Sequence, residues 1–129
     1  MRNFGALDGL SGLLELSEPV IFDRLREVYR ARVAKEEQVW KCARLHCRAW
    51  RALIASDMAK FEGLRHELVL ALERLGLDTG CIAEADARIL LELNEIVAAR
   101  FQRSAREAKG YRLALIELAG RLAPAGRAA

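Results

Sequence analysis

The sequence has very little proline, the residue that interrupts helices most strongly. Prolines number only two in the 129-residue chain, Pro19 and Pro124. Leucine, alanine, arginine and glutamate dominate instead, which is the composition of a protein built from long helices. The composition therefore predicts an all-α fold, and the length fits a single domain with a real core.

Long apolar runs are also absent. No segment approaches the roughly 18 uncharged apolar residues of a membrane-spanning helix. Arg2 and Asp8 flank short apolar pieces where a signal peptide would have its apolar core. We therefore expect a cytoplasmic protein without a membrane span. The net charge is only +3, from 21 basic and 18 acidic residues, so nucleic acid is not expected as a partner.

The feature that organises the sequence is a heptad repeat from Trp40 to Leu75. Of its eleven seam positions ten are apolar or small, and the exception is Asp57. A repeat of this length predicts a continuous coiled-coil helix along a partner helix. We therefore expect helix through Ser56-Asp57, although these residues could cap a new helix. The seam positions are Trp40, Ala43, Cys47, Trp50, Ile54, Asp57, Phe61, Leu64, Leu68, Ala71 and Leu75.

Local signals divide the rest of the chain. Ser17-Glu18-Pro19 has the residues of a helix start. Charged residues shift the apolar phase near 32–38, where we expect a stutter, bend or short break with helix persisting. The glycines of residues 76–80 predict the hinge of a helical hairpin. The resulting domain limits are an amphipathic lead-in at 1–16, a single helical bundle at 17–122 and a disordered tail at 123–129.

A second apolar seam follows the hinge at steps of three and four. We expect it to face the first seam, so that helices near 18–55, 56–75 and 81–120 form an antiparallel hairpin or three-helix bundle. Asn94 at a seam position is typical of a buried polar residue that fixes register. The facing core residues would be Trp50, Ile54, Phe61 and Leu68 on one side and Leu90, Val97, Tyr111 and Leu115 on the other.

Two surfaces are candidates for binding a partner protein. Pairing outward from the hinge leaves the end of the second seam uncovered, and such an apolar row would meet a partner protein or mediate a homodimer. A basic stripe beside the first seam is either a solvated flank or a docking strip for an acidic partner. The apolar row is Tyr111, Leu115, Leu118 and Leu122, and the basic stripe is Lys41, Arg44, Arg48 and Arg51.

Cysteine and histidine form no recognisable metal-binding pattern. Cys42 and His46 lie four residues apart on one helical face, which suits two zinc ligands, but Cys81 and His66 follow at no known spacing. We therefore expect reduced structural thiols, no metal and no cofactor. The sequence contains neither a nucleophile elbow nor a phosphate-binding loop, so we expect no enzyme activity.

His66 suggests an alternative function. Phe61–Leu68 has the His-Glu-Leu order of a sensor-kinase phosphoacceptor box, and the heptad places His66 opposite the seam, where a phosphorylated imidazole must lie. Val69-Leu70-Ala71 stands where such a box typically continues with Arg-Thr-Pro. The alternative is therefore a coiled-coil adaptor or dimerisation module of a signalling system, with or without histidine phosphotransfer at His66.

One part of the sequence resembles a known family. Trp50–Asp57, Phe61–Leu64, Leu68, the leucine-rich exit Leu72–Leu77 and Leu93-Asn94 are similar to flagellar export chaperones of the FlgN type, over about residues 40–120. The resemblance implies a cytoplasmic chaperone that holds a helical segment of a secreted subunit. An amphipathic helix bound in an apolar groove is a common way to achieve this.

Overall fold

The fold was analysed in a computed structural model, which describes the backbone of residues 2–128 and the side chains of Leu10 and residues 12–122. This part of the chain is all-α, as predicted, and contains five helices and no strand. The predicted hairpin of long helices is replaced by a bundle of shorter ones. The helices are α1 (Arg2–Arg30), α2 (Glu36–Ile54), α3 (Met58–Arg74), α4 (Gly80–Arg100) and α5 (Ala105–Ala128).

Helix α1 organises the bundle. It packs against α2, α4 and α5, while α3 packs against α2. Ion pairs along α1 show that it runs antiparallel to both α2 and α4. These pairs are Glu18–Arg51 and Arg30–Glu36 with α2, Arg24–Glu92 with α4 and, directly after the end of α1, Arg32–Glu84 with α4.

The first helix is uninterrupted, so the predicted helix start at Ser17-Glu18-Pro19 is wrong. Pro19 lies inside α1 on its exposed side, and residues 2–16 of the predicted lead-in belong to the same helix. One face of α1 is buried at helical spacing, and this burial outweighs the weak helix propensity of its glycines and proline. The buried residues of that face are Leu10, Leu13, Leu14, Ser17, Ile21, Leu25, Val28 and Tyr29.

A short break separates α1 from α2. The predicted interruption near 32–38 is thus confirmed, but the expectation that helix persists there is wrong. Val33 is buried, and its N–H donates to the carbonyl of Tyr29 at 2.8 Å, which closes the end of α1. Glu36 and Glu37 then occupy the first turn of α2, where negative charge favours the helix dipole.

The heptad region is broken at Ser56-Asp57, where we predicted a continuous helix. Ser56 adopts a left-handed φ of 63°, and the Asp57 side chain accepts a hydrogen bond from the N–H of Lys60 at 3.2 Å, which caps α3. The chain reverses here, and α3 folds back along α2. The heptad phase continues across the turn because each helix buries its apolar residues against the other. Periodicity alone does not distinguish two such helices from one continuous helix.

The second predicted long helix, 81–120, is also broken. The first half, α4, ends at Arg100, and Ser104 caps α5 by accepting a hydrogen bond from the N–H of Glu107 at 3.4 Å. The predicted pairing of 40–75 with 81–120 is wrong as well, because α3 packs mainly on α2 and α4 packs mainly on α1.

The turn at 76–80 forms as predicted. Gly76 has a left-handed φ of 71°, which favours glycine because it lacks a Cβ atom. Asp78 Oδ1 then accepts a hydrogen bond from the N–H of Gly80 at 3.2 Å, at the start of α4.

Most of the predicted core residues are buried. Trp40 and Leu75, at the two ends of the repeat, are each 39% exposed, because they lie beyond the contact between α2 and α3. In α4 the buried row passes through Ile89 and Leu93, one residue before the predicted Leu90 and Asn94, so Asn94 is exposed and its predicted role in fixing register is wrong. Trp50, Ile54, Phe61, Leu68, Val97 and Leu115 are buried as predicted, and Leu90 and Tyr111 are half-buried.

The C-terminal end of α5 extends as helix to Ala128. The side chains of 123–129 lie outside the described residues, and the disordered tail expected there stays a prediction. None of the helices that the structure describes combines the length and apolar character that crossing a bilayer requires.

Candidate functional site

Helix α2 carries two polar features on opposite sides. Its inner side contributes His46 and Trp50 to a buried group of hydrogen-bonded side chains. Its outer side presents the basic stripe, whose four residues are all exposed. The inner feature is closed to ligands, and the outer one is open to solvent.

The buried group is centred on Asp86 of α4 and joins four helices. Asp86 Oδ1 accepts hydrogen bonds from His46 Nε2 at 2.7 Å and from Trp50 Nε1 at 2.8 Å. Arg65 of α3 donates to Oδ1 at 3.2 Å and to Oδ2 at 2.6 Å. The hydroxyl of Tyr29 on α1 lies 2.6 Å from His46 Nδ1. We call these five residues the Asp86 cluster.

Burial and charge act against each other at Asp86. Burial alone raises the pKa of a carboxyl, but hydrogen bonds and charge from His46 and Arg65 outweigh it and hold the pKa of Asp86 below its usual range. An ionised carboxylate only accepts hydrogen bonds, so His46 Nε2 is the donor to Asp86. Burial raises the pKa of Tyr29, so its hydroxyl keeps its proton beside His46 Nδ1.

The Asp86 cluster has a hydroxyl, an imidazole and a carboxylate in series, as hydrolytic enzymes do. Tyr29 and His46 are 0% exposed, however, and Trp50 is 1% exposed. A substrate therefore has no access to the hydroxyl or the imidazole. The cluster acts on the fold: buried donors and a buried carboxylate satisfy one another and fix how four helices pack.

His46, one of the candidate zinc ligands, is engaged within the Asp86 cluster. Both ring nitrogens of His46 have partners in the Asp86 cluster. Cys42, Cys47 and Cys81 are free, buried thiols. Burial raises the pKa of all three, for Cys47 to about 11, so they are protonated near neutral pH. Within the described residues no group of three or more side chains is placed to hold a metal ion.

Three of the four cations of the basic stripe carry charge that no salt bridge of the described residues neutralises. Arg51 forms an ion pair with Glu18 of α1. Lys41, Arg44 and Arg48 form no salt bridge within the part of the chain that the structure describes. Their charges are therefore free to attract an acidic ligand.

Two concave surfaces flank the basic stripe, and Arg44 and Arg48 line both. The α1–α2 groove has a volume of about 320 Å³, and the α2–α3 cleft has a volume of about 430 Å³. The groove is lined by Glu18, Pro19, Phe22, Arg44, Cys47, Arg48 and Arg51. The cleft is lined by Lys41, Arg44, Leu45, Arg48, Glu67, Leu70, Ala71 and Arg74.

Exposed aromatic surface adjoins the α1–α2 groove. The rings of Phe22 and Trp40 lie 5.1 Å apart between centroids, and the guanidinium of Arg26 lies 4.7 Å from the centre of the Trp40 ring. Leu16 and Val20 are exposed within one helical turn of Pro19. Sequence reasoning missed this surface because it placed Trp40 in the seam.

The predicted apolar row on α5 is not an open surface. Leu118 is 0% exposed, and Leu115 and Leu122 are also buried. Tyr111 is half-buried and stacks on Phe101, with 4.7 Å between ring centroids. The predicted exposure is wrong because α5 folds back on α4 and α1, and these helices cover the apolar row. The predicted hairpin had no helix at that place.

His66 is exposed on α3, as the heptad predicted. Its neighbours differ from it: Arg65 turns inward to Asp86, and Glu67 lines the α2–α3 cleft. Exposure is necessary for phosphotransfer, but it is equally the normal state of a surface histidine. The phosphotransfer alternative therefore stays a prediction.

Sequence reasoning also missed the role of Asp86, although a signal exists. His46 and Trp50 lie four residues apart on the buried side of α2, and both carry N–H donors that need an acceptor. Asp86 lies within a row of apolar residues in α4, between Ile82 and Ile89. A carboxylate at such a position, together with two buried N–H donors on another helix, indicates that the carboxylate accepts their hydrogen bonds in the core.

Comparison of the chain with protein-family models finds no match, and neither do the searches of curated proteins and of solved structures. The fold and the site therefore define the protein by class. It is an all-α helical bundle with a basic stripe on α2 between two concave surfaces.

Proposed function

We propose that the protein is a non-enzymatic binding protein that holds an acidic amphipathic helix of a partner protein in the α1–α2 groove. The composition of the groove carries this proposal. Pro19, Phe22 and Cys47 give it apolar surface, and Arg44 and Arg48 give it a positive edge, while Arg51 is paired with Glu18 in the same lining. A helix with leucines on one face and glutamates beside them complements both parts.

The surroundings of the groove support the same kind of partner. Trp40, at 39% exposure, extends the apolar surface beyond Phe22, and tryptophan and arginine are the residues that most often dominate binding energy at interfaces. Arg44 and Arg48 make no salt bridge within the described residues, so a partner carboxylate displaces no internal one there. Their charge also speeds association with an acidic partner.

The resemblance to flagellar export chaperones of the FlgN type gives this function a specific form. In that form, the bound helix belongs to a secreted flagellar subunit, which the protein holds in the cytoplasm before export. An adaptor of a signalling system would use the same groove for a different partner. Neighbouring genes distinguish the two: flagellar or secretion genes favour the chaperone, and a response regulator favours the adaptor.

A designed peptide tests the proposed groove. The probe is a fluorescently labelled amphipathic helix of about five turns, with leucines on one face and glutamates beside them. We expect wild-type protein to bind it and Phe22→Glu to bind at least about ten-fold more weakly. Ile116→Glu is the matched control, because it places the same charge on an exposed residue of α5. A peptide with lysines in place of the glutamates should bind poorly to all three.

Trp40 reports independently where the peptide binds. Trp50 is 1% exposed, so acrylamide quenches mainly the fluorescence of Trp40. Peptide in the groove should protect Trp40, since it lies against Phe22. Unchanged quenching on binding, or equal binding by a Phe22→Glu variant with wild-type circular dichroism, would overturn the proposal.

A further inference from the structure

The α2–α3 cleft concentrates positive charge on a concave surface. Lys41, Arg44 and Arg48 of α2 and Arg74 of α3 line it, and Glu67 is the only acid among its lining residues. Four cations less one carboxylate leave a local charge of +3. These four cations form no salt bridge in the described part of the chain, whereas eight arginines elsewhere in it do.

The cleft has the size and frame of a small-molecule site. Its volume of about 430 Å³ lies within the usual range for such sites. Leu45, Leu70 and Ala71 give it apolar surface, and Leu45 and Ala71 are themselves buried. Both walls are helices, and the capped turn at Asp57 joins them, so the cations are held on rigid elements.

We propose that the α2–α3 cleft binds a small organic phosphate. The phosphate lies among Arg44, Arg48 and Arg74, and the organic part lies on Leu45 and Leu70. A concave surface of one charge sign raises the local concentration of its counter-ion. Each guanidinium offers paired donors that match two phosphate oxygens. A phosphate dianion also balances a local charge of +3 more fully than a single carboxylate does.

This site is separate from the proposed groove but coupled to it. Lys41, Leu70 and Arg74 line the cleft alone, while Arg44 and Arg48 line both surfaces. A phosphate that engages these two arginines weakens their hold on an acidic helix. By reciprocity, the helix weakens phosphate binding by the same factor.

Phenyl phosphate and inorganic phosphate are the probes, titrated at an ionic strength held constant with sodium chloride. Backbone amide shifts in ¹H–¹⁵N spectra should change around Leu45 on α2 and Leu70 on α3. Phenyl phosphate should bind about ten-fold more tightly than inorganic phosphate, because its ring covers apolar surface. Absence of shifts at millimolar probe, or shifts confined to other helices, would overturn the proposal.

Matched variants separate site binding from net charge. Arg74→Glu should weaken phenyl phosphate binding at least about ten-fold. Arg112→Glu, on the exposed side of α5, makes the same charge change away from the cleft and should leave binding unchanged. Equal loss in both variants would reduce the effect to net charge and refute the site. Arg74→Ala provides the same test with a milder change, and thermal melts confirm that each variant is folded.

The proposals for the α1–α2 groove and for the α2–α3 cleft can be tested independently. Phe22→Glu should abolish binding of the acidic peptide and keep phenyl phosphate binding at the wild-type level. Arg74→Glu should weaken phenyl phosphate binding and keep the affinity for the acidic peptide within about two-fold of the wild type. Peptide binding without phosphate binding would refute the cleft alone, and phosphate binding without peptide binding would refute the groove alone.

Discussion

The Asp86 cluster and the α2–α3 cleft both contain arginine from α3, and they use it in opposite ways. Arg65 reaches inward and gives two hydrogen bonds to a buried carboxylate. Arg74, at the last turn of the same helix, lines an open cleft with three other cations and has no internal ion pair among the described residues. Arg65 is engaged by hydrogen bonds inside the protein, whereas Arg74 is available to a ligand.

The difference has an energetic meaning. Removing one partner from a buried network leaves the other partners desolvated and unpaired, which costs far more than the network contributes relative to water. Removing one cation from a group of like charges relieves repulsion instead. The same residue type is therefore expected to be essential for stability at one place and dispensable at the other.

Loss of the buried carboxylate is expected to have the largest effect on the stability of the fold. Asp86→Ala should lower the free energy of unfolding by about 3–5 kcal/mol, because it leaves His46, Trp50 and Arg65 without their acceptor. Urea denaturation followed by circular dichroism measures this change. Glu84→Ala is the control, since Glu84 pairs with Arg32 at the surface and should cost at most about 1 kcal/mol. Equal losses in the two variants would contradict the distinction between buried and exposed charge.

Loss of a large apolar side chain beside the Asp86 cluster should also destabilise the fold strongly. Phe61 is 1% exposed and lies under Arg65, whose guanidinium is 5.4 Å from its ring centre. Phe61→Ala should cost about 3–5 kcal/mol through the cavity it leaves. Met58→Ala, one turn earlier and 38% exposed, should cost much less. Similar melting temperatures for both variants would show that Phe61 does not lie in the core.

The pH dependence of stability separates the two regions further. Because the pKa of Asp86 is held below its ordinary value of 3.8, the stability it contributes is present above that value and is lost as the pH falls through the lower, folded-state pKa. Asp86→Asn has no carboxyl to titrate at this position. Its melting temperature should therefore fall less between about pH 6 and about pH 3 than that of the wild type. Parallel curves would contradict a lowered pKa in the folded state.

The smallest effect is expected in the cleft. Arg74→Ala should change the free energy of unfolding by less than about 0.5 kcal/mol, because Arg74 is exposed and forms no salt bridge in the described residues. Thermal melts at low and high salt measure this change. A clear loss of stability would show that the cleft is part of the structural framework rather than a place for a ligand.

The composition and the heptad predicted the helical class and most of the buried residues, since Trp50, Ile54, Phe61 and Leu68 are all in the core. They did not predict the chain reversals. Ser56 adopts a left-handed conformation that few residues favour, and α2 and α3 happen to keep the same apolar phase on either side of it. Pro19 led to the opposite error: it predicted the start of a helix, but tertiary packing keeps α1 continuous through it.

The basic stripe was predicted from spacing alone, since helical periodicity places Lys41, Arg44, Arg48 and Arg51 on one side of α2. The cleft was not, because Arg74 reaches it only through the turn at Ser56 that brings α3 back along α2. The apolar row on α5 was assigned to the surface for the same reason: its cover depends on which helices are neighbours. Pairwise contacts between distant segments are the information that one sequence does not contain.

The way the Asp86 cluster is assembled has a consequence for folding kinetics. Asp86 binds Arg65 across 21 positions of the chain and His46 across 40. Contacts between residues far apart in sequence form only after the intervening segments have been ordered. The complete cluster needs α1, α2, α3 and α4 in place, so we expect its hydrogen bonds to form on the native side of the folding barrier. Loss of such late contacts accelerates unfolding and leaves the rate of folding nearly unchanged. We therefore expect substitutions of these five residues to shorten the lifetime of the folded state and to leave the time needed to reach it nearly unchanged.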